Sequence, residues 1–178
     1  MTDEQVLQKT KHWLENAVIG LNLCPFAKAV YVKNQVRLVV SHARHADDFL
    51  EELDRELDLL VATPAEQLDT TLLIHPQLFA DFLDFNDFLD IADGVVEEHD
   101  LVGVVQLASF HPQFQFDGTE PDDIGNCTNR APFAMLHLLR EASVERAVEA
   151  FPNADTIVKA NIATLEKLGH AGWAALEL

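Results

Sequence analysis

FAMLHLLREASVERAV, Phe133–Val148, decides how the second half of the chain is read. Pro132, just before it, suits the first turn of a helix. A helix is therefore expected from about Pro132 to Ala150. Pro152 would separate it from a last helix over about Ala154–Leu168, which Gly169 would stop. At about 100° per residue, Val144, Ala147, Val148 and Phe151 fall on one stripe, which projects back onto Phe133, Leu136, His137 and Arg140. The opposite side, with Met135, Leu138, Leu139 and Ala142, is also apolar. The first half should then be surrounded by protein. His137, Arg140 and Glu141 become polar groups in an apolar setting. They must bond to one another, to the preceding loop or to a ligand, because unpaired buried polar groups are costly. On a helix His137 and Glu141 are four apart and can pair or co-ligate.

The preceding segment, residues 111–131, has no period and carries Phe114, Phe116 and Ile124 as candidate anchors. Loops of that length in compact domains are usually functional or disordered; an ordered, functional loop is expected here. With a helix starting at Pro132, Asn129 and Arg130 would stand at its N-terminus, where free N–H groups and the dipole favour an anion. Arg130 adds a guanidinium fork for carboxylate or phosphate. Alternatively, Arg130 pairs with Asp117, Glu120, Asp122 or Asp123 and pins the loop.

Three predicted strands end alike, in VVSH, LLIHP and ASFHP, with His42, His75 and His111. If those strands are parallel, all three imidazoles lie at the carboxyl edge of one sheet, where open α/β sheets bind ligands. They are the metal candidates; the alternative is ordinary strand-end histidines beside turn-forming prolines. HPQL and HPQF also form a short internal echo. Cys24 and Cys127 form no Cys-x-x-Cys motif, so a redox dithiol is unsupported.

The 178 residues, 48% hydrophobic, suit one globular domain spanning 1–178. No secretion signal or membrane span is visible, so a cytoplasmic protein is expected. The formal charge of −18 is unevenly spread, with 21 acids against Arg55 alone over residues 45–123. That distribution argues against nucleic acid and anionic membranes as partners. It leaves a solvated surface or a basic protein partner.

Thr2 and Gln5 form a capping box for a first helix over about Asp3–Ile19. AVYVKNQVRLVVSH reads as a hairpin turning at Lys33-Asn34-Gln35. A helix over Ala46–Ala62, the strand TTLLIH, a helix over Gln77–Glu98 and the strand LVGVVQLASFH follow. The last strand is apolar enough to be central. In the second of these helices Phe79, Phe82, Phe85 and Phe88 should face inward, with the alternating aspartates outside rather than binding calcium. The order predicts an α/β or α+β fold: one mixed four-stranded sheet with helices packed on it. The second to fourth strands should be parallel and the first antiparallel at an edge. A split βαβ sheet with antiparallel neighbours is the alternative.

WLENAVIGLNLCPFAK (13–28), LASFHPQFQFDG (107–118), NCTNRAPFAMLHLLREASVERAV (126–148) and NIATLEKLG (161–169) together resemble the bacterial family catalogued as domain of unknown function 1415. The resemblance implies a single-domain bacterial protein of this length. It assigns no activity, cofactor or catalytic residue. From the residues alone, His111, His137 and Glu141 are the catalytic candidates, and Asn129, Arg130 and Arg140 the ligand-binding ones. The expected function is a binding or catalytic site for a small anionic metabolite, built by the 111–131 loop and the following helix start. The alternatives are a non-enzymatic acidic interaction protein and a metal-dependent hydrolase-like enzyme using the strand-end histidines.

Overall fold

The computed structural model describes residues 1–150 and 154–178, without the side chains of 150, 154 and 155. Phe151 and Pro152 lie outside the described residues. Helix α1, Asp3–Trp13, starts at the expected capping box: Gln5 N–H donates to Thr2 Oγ1 at 3.3 Å and Thr2 N–H to Gln5 Oε1 at 2.9 Å. The helix widens into a π-helical turn, Leu14–Ile19. Gly20 is needed at its end, since a Cβ there would stand 2.4 Å from the Asn16 carbonyl oxygen.

The expected first strand is instead a short helix, α2, Ala27–Val32. Asn34 has the anticipated positive φ, 57°, but it closes a helix: its N–H donates to Tyr31 O and that of Gln35 to Val30 O. A left-handed asparagine serves helix C-termini as well as hairpin turns, so the local signal was the same for both. Strand β1 (Val36–Val40), helix α3 (Ala46–Ala62) and strand β2 (Thr70–His75) follow. Helix α4 begins at Phe82 rather than Gln77 and ends at Glu98, capped by Asp81, whose carboxylate accepts from Leu83 N–H at 2.8 Å. Phe85 and Phe88 are buried in its core face. Strand β3 is Val105–Phe110.

The largest departure is at Ala134–Arg140, which is a strand, β4; only Glu141–Ala150 is helical, as α5. Helix α6, Ala154–Ala174, is broken at Gly169, whose φ is 67°. The sheet order is β1-β2-β4-β3, with β1 parallel to β2 and β4 antiparallel to both of its neighbours. Thus β1, β2 and β3 do run the same way. The antiparallel strand is an inner one, and β3, expected at the centre, is at an edge. A strand covered on both faces reads as a continuous apolar run, which periodicity alone does not separate from a buried helix.

The register sets out the two faces. Leu73, Leu136 and Leu138 meet Phe49, Leu53, Leu57 and Leu60 of α3 and Phe85 and Phe88 of α4. On the other face stand three rows across the sheet. Val40, Ile74, Met135 and Phe110 form one; Leu38, Leu72, His137 and Ala108 the next; Val36, Thr70, Leu139 and Gln106 the third. Val6, Trp13, Leu14, Ala17 and Val18 pack against this face through Leu72, Ile74 and Met135. Trp13 meets Phe110 edge-on, at 5.0 Å between centroids.

Arg140 ends β4 on the α3 side. Its Nε and Nη2 donate to Leu68 O at 3.2 and 2.9 Å, and Nη2 also to the carbonyls of Leu60 and Thr63. It thereby satisfies acceptors that the C-terminus of α3 leaves open. Replacing it by Met is expected to cost about 3 kcal/mol in urea unfolding, since hydrogen bonds to a charged group contribute about 1.5–3 kcal/mol each and are not additive. Arg140→Lys should recover only part. A loss below about 0.5 kcal/mol, the size of an ordinary surface change, would contradict the pinning role.

Candidate functional site

The strand-end histidines lie at one sheet edge, as expected, but do not converge. The His75 Nε2–H donates to Ala43 O at 2.9 Å, and Nδ1 accepts from the N–H groups of Gln77 and Leu78 at 3.2 and 2.6 Å. The His111 Nε2–H donates to Phe79 O at 2.9 Å, and Nδ1 accepts from Gln113 N–H at 3.0 Å. The His-Pro-Gln echo is thus one turn used twice, each imidazole closing the backbone that follows it. Burial lowers the pKa of both rings. His42 is exposed and pairs with Asp3 at 3.0 Å. Among the described residues no group of three or more His, Cys, Asp or Glu is placed to hold a metal ion.

The 111–131 loop is built around Asn126, which is fully buried. Asn126 Oδ1 accepts from Phe116 N–H and Thr119 Oγ1–H, while its Nδ2 donates to Glu120 O. Asn129 Nδ2 donates to Ser109 O at 3.1 Å. Arg130 donates to the carbonyls of Phe114 and Pro121, and its own carbonyl accepts from the Trp13 indole N–H at 2.9 Å. Asn129 and Arg130 therefore lock the loop to itself and to α1. The expectation of a helix N-terminus after them is corrected: β4 follows, so no helix dipole adds to the guanidinium. Arg140 faces α3, and Glu141, the first residue of α5, binds Val104 O through its backbone N–H. His137 and Glu141 lie in different elements and share no helix face. The expected link from His137 or Arg140 to the loop is also corrected: their hydrogen bonds go to Thr70 and to the chain around the end of α3.

His137 alone of those candidates lines a cavity of about 300 Å³. The floor is the least covered part of the sheet face: Val36, Thr70, Leu72, Gln106, His137 and Leu139. Trp13, Leu14 and Val18 form one wall, Ala27, Val30 and Tyr31 of α2 a second, and Ser143, Val144 and Ala147 of α5 a third. Cys24 and Asp69 also reach it, and among the described residues no Lys or Arg does. Most of the lining is apolar. Two of its polar groups are paired at the margins: Ser143 Oγ donates to Asp69 at 2.7 Å and accepts from Arg146 Nη2 at 2.8 Å, and Tyr31 OH donates to Glu15 at 2.7 Å. Burial and Glu15 push the Tyr31 phenol up to about 12. On the floor, His137 Nε2 and Thr70 Oγ1 are 2.6 Å apart, and Thr70 Oγ1 donates to Leu138 O at 2.6 Å. Desolvation lowers the His137 pKa to about 4, so the ring is neutral near pH 7. Sequence reasoning found His137 but missed Thr70, Asp69, Tyr31, Gln106 and Ser143. The sequence offered no local signal for them: Thr70 opens a strand, TTLLIH, that also holds Thr71 and His75, and the other four come from separate elements.

Fold and site define an α+β domain with a mixed four-stranded sheet, whose less covered face holds an apolar cavity with a neutral histidine in its floor. The chain belongs to the family described as protein of unknown function (DUF1415), whose model matches residues 5–175. No curated protein and no solved structure matches it. Among the described residues no helix is long and apolar enough to cross a membrane.

Burial lowers the pKa of His75, His111 and His137, so the unfolded chain binds more protons than the native one as pH falls below the ordinary imidazole value of 6.5. The stability they carry is complete above that value and is lost as pH falls through the lowered pKa. For His137, the drop from 6.5 to about 4 corresponds to at most about 3–4 kcal/mol. His137→Gln, which keeps a donor toward Thr70, is expected to flatten the fall of the urea midpoint between pH 6.5 and pH 4. Superimposable pH profiles for variant and wild type would refute this assignment.

Proposed function

We propose that this domain binds a small, largely apolar molecule in the cavity between the sheet, α1, α2 and α5. The supporting observation is the composition of that space. A cavity of about 300 Å³ is at the lower end of the range that small-molecule sites occupy. Its walls are apolar, and a few polar groups meet at the floor and margin, the usual arrangement for a site that holds a ligand by burial and orients it by hydrogen bonds. An anionic metabolite at Arg130 is a weaker reading, because that guanidinium is engaged with loop carbonyls and no helix start stands behind it. Binding is also favoured over nucleophilic catalysis. Thr70 gives its proton to the Leu138 carbonyl, so His137 does not take it in the resting site. The free thiols of Cys24 and Cys127 fit a reducing, cytoplasmic setting.

A second reading has one observation behind it. The solvent side of α3 and α4 carries Asp47, Asp48, Glu51, Asp58, Asp84, Asp87 and Asp90, with Arg55 already beside Glu51. That face suits a basic protein partner through long-range attraction.

Naphthalene separates the two readings. Its titration should perturb backbone amide NMR signals of α2, α5 and the start of β2. Ala147→Trp, which projects a large ring into the cavity from a half-buried helix position, should abolish the perturbation while leaving the unfolding free energy within about 1 kcal/mol of wild type, as for an ordinary half-buried change. Unchanged spectra at saturating naphthalene, or shifts confined to other faces, would rule out the cavity as the site.

A further inference from the structure

The hydrogen bonds on the cavity floor prescribe what the ligand must bring. A threonine hydroxyl has a single proton. Thr70 Oγ1 lies 2.6 Å from the Leu138 carbonyl oxygen, which only accepts, so that proton points to Leu138. The same Oγ1 lies 2.6 Å from His137 Nε2. Two lone pairs at that distance would repel, so Nε2 carries the ring proton and donates it to Thr70. The chain runs from Nε2–H to the Thr70 hydroxyl and on to the β4 backbone. With no ion pair to His137 among the described residues and an apolar surrounding, the ring is neutral. Its Nδ1 then keeps a lone pair and accepts only.

Nδ1 makes no hydrogen bond among the described residues, nor is it one of the fully enclosed polar atoms without a partner, which are Glu52 Oε2 and Thr71 Oγ1. It is therefore reachable, and His137 lines the cavity. Gln106 stands one row away on β3, with a side chain that makes no hydrogen bond among the described residues. Among the described residues no Lys or Arg lines the space and Asp69 does, with Arg146 outside the lining, on Ser143 at 2.8 Å.

We infer that the ligand is an uncharged molecule with an apolar body and an O–H or N–H donor at its head, received by Nδ1 of His137. This rests on the cavity being the binding site. Gln106 adds an amide able to donate or accept at the same head. Carboxylate ligands are disfavoured by a lone pair facing a lone pair at Nδ1, and the lining itself offers them a carboxylate, Asp69, and no cation.

Four probes of one shape test it by calorimetric titration: naphthalene, 1-naphthol, 1-methoxynaphthalene and 1-naphthoate. The expected order has 1-naphthol binding about tenfold more tightly than 1-methoxynaphthalene, the difference made by one hydrogen bond to a buried acceptor. 1-Naphthoate should be weakest. His137→Phe should remove the preference for naphthol while naphthalene still binds. Thr70→Val, nearly isosteric, leaves Nε2 without an acceptor, frees the ring to change tautomer and should narrow the naphthol preference. Nitrogen-15 NMR of the wild-type ring gives a reading independent of any variant. It should find the proton on Nε2, and a proton on Nδ1 overturns the inference. Equal binding of naphthol and methoxynaphthalene overturns the donor requirement but leaves the cavity as a site. Failure of all four probes to bind overturns the cavity reading and this inference with it.

Discussion

The structure depends on the hydrogen-bonding of seven residues. Ala134–Arg140 lies between β2 and β3 and offers each of them an antiparallel ladder. Without it, β1 and β2 would remain a parallel pair and β3 would have no partner, with rows of unpaired N–H and C=O groups. With it, four strands become one surface, and α3 and α4 have a continuous apolar face to cover. The requirement acts on both sides of the strand at once. Ala134, Leu136 and Leu138 serve one core, Met135 the other. Where that second face is least covered, His137 and Leu139 floor the cavity. A strand that must fill two cores has no polar face to advertise its period.

That is why much of the fold was legible and this part was not. The capping box, the bounds of α3 and the strand TTLLIH carry local signals that tertiary structure left alone. The common direction of β1, β2 and β3 followed from the helices between them. Phe133–Arg140 had apolar residues all round, which satisfies a buried helix and a buried strand equally. Pro132, acceptable at a helix start, is equally acceptable just before a strand. The hairpin at Asn34 failed for a related reason, since one left-handed residue ends a helix or turns a hairpin. Four strands were expected and four exist, but one expected strand is helix α2 and one expected half-helix is β4.

The site suffered more, because it depended on β4. A helix would have placed His137 beside Glu141 and given Arg130 a dipole to work with. A strand instead sends Arg140 to α3 and His137 to the opposite side, where Thr70 arrives from the neighbouring row. Thr70 is far from His137 in sequence, and only the β2–β4 register makes them neighbours. The three terminal histidines show the converse. Their common edge was read correctly, yet both ring nitrogens of His75 and His111 are used, Nδ1 by the turn that follows and Nε2 by the carbonyl of Ala43 or Phe79. A position was legible there, and the occupancy of its lone pairs was not.

The place of β4 in the chain also bears on how the molecule is made. On a ribosome, β1, β2 and β3 emerge before the strand that joins them. Chains synthesised from the N-terminus fold as their parts become available, and here the inner strand is the last of the four. Until it docks, the apolar sides of α3 and α4 have only fragments of sheet to cover, and the edges of β2 and β3 are open to strands of other nascent chains. Contacts so distant in sequence also slow closure of the sheet. The segment between β1 and β4 that waits with them, residues 45–123, carries 21 acids against one Arg, a charge of one sign that opposes the close approach of like chains.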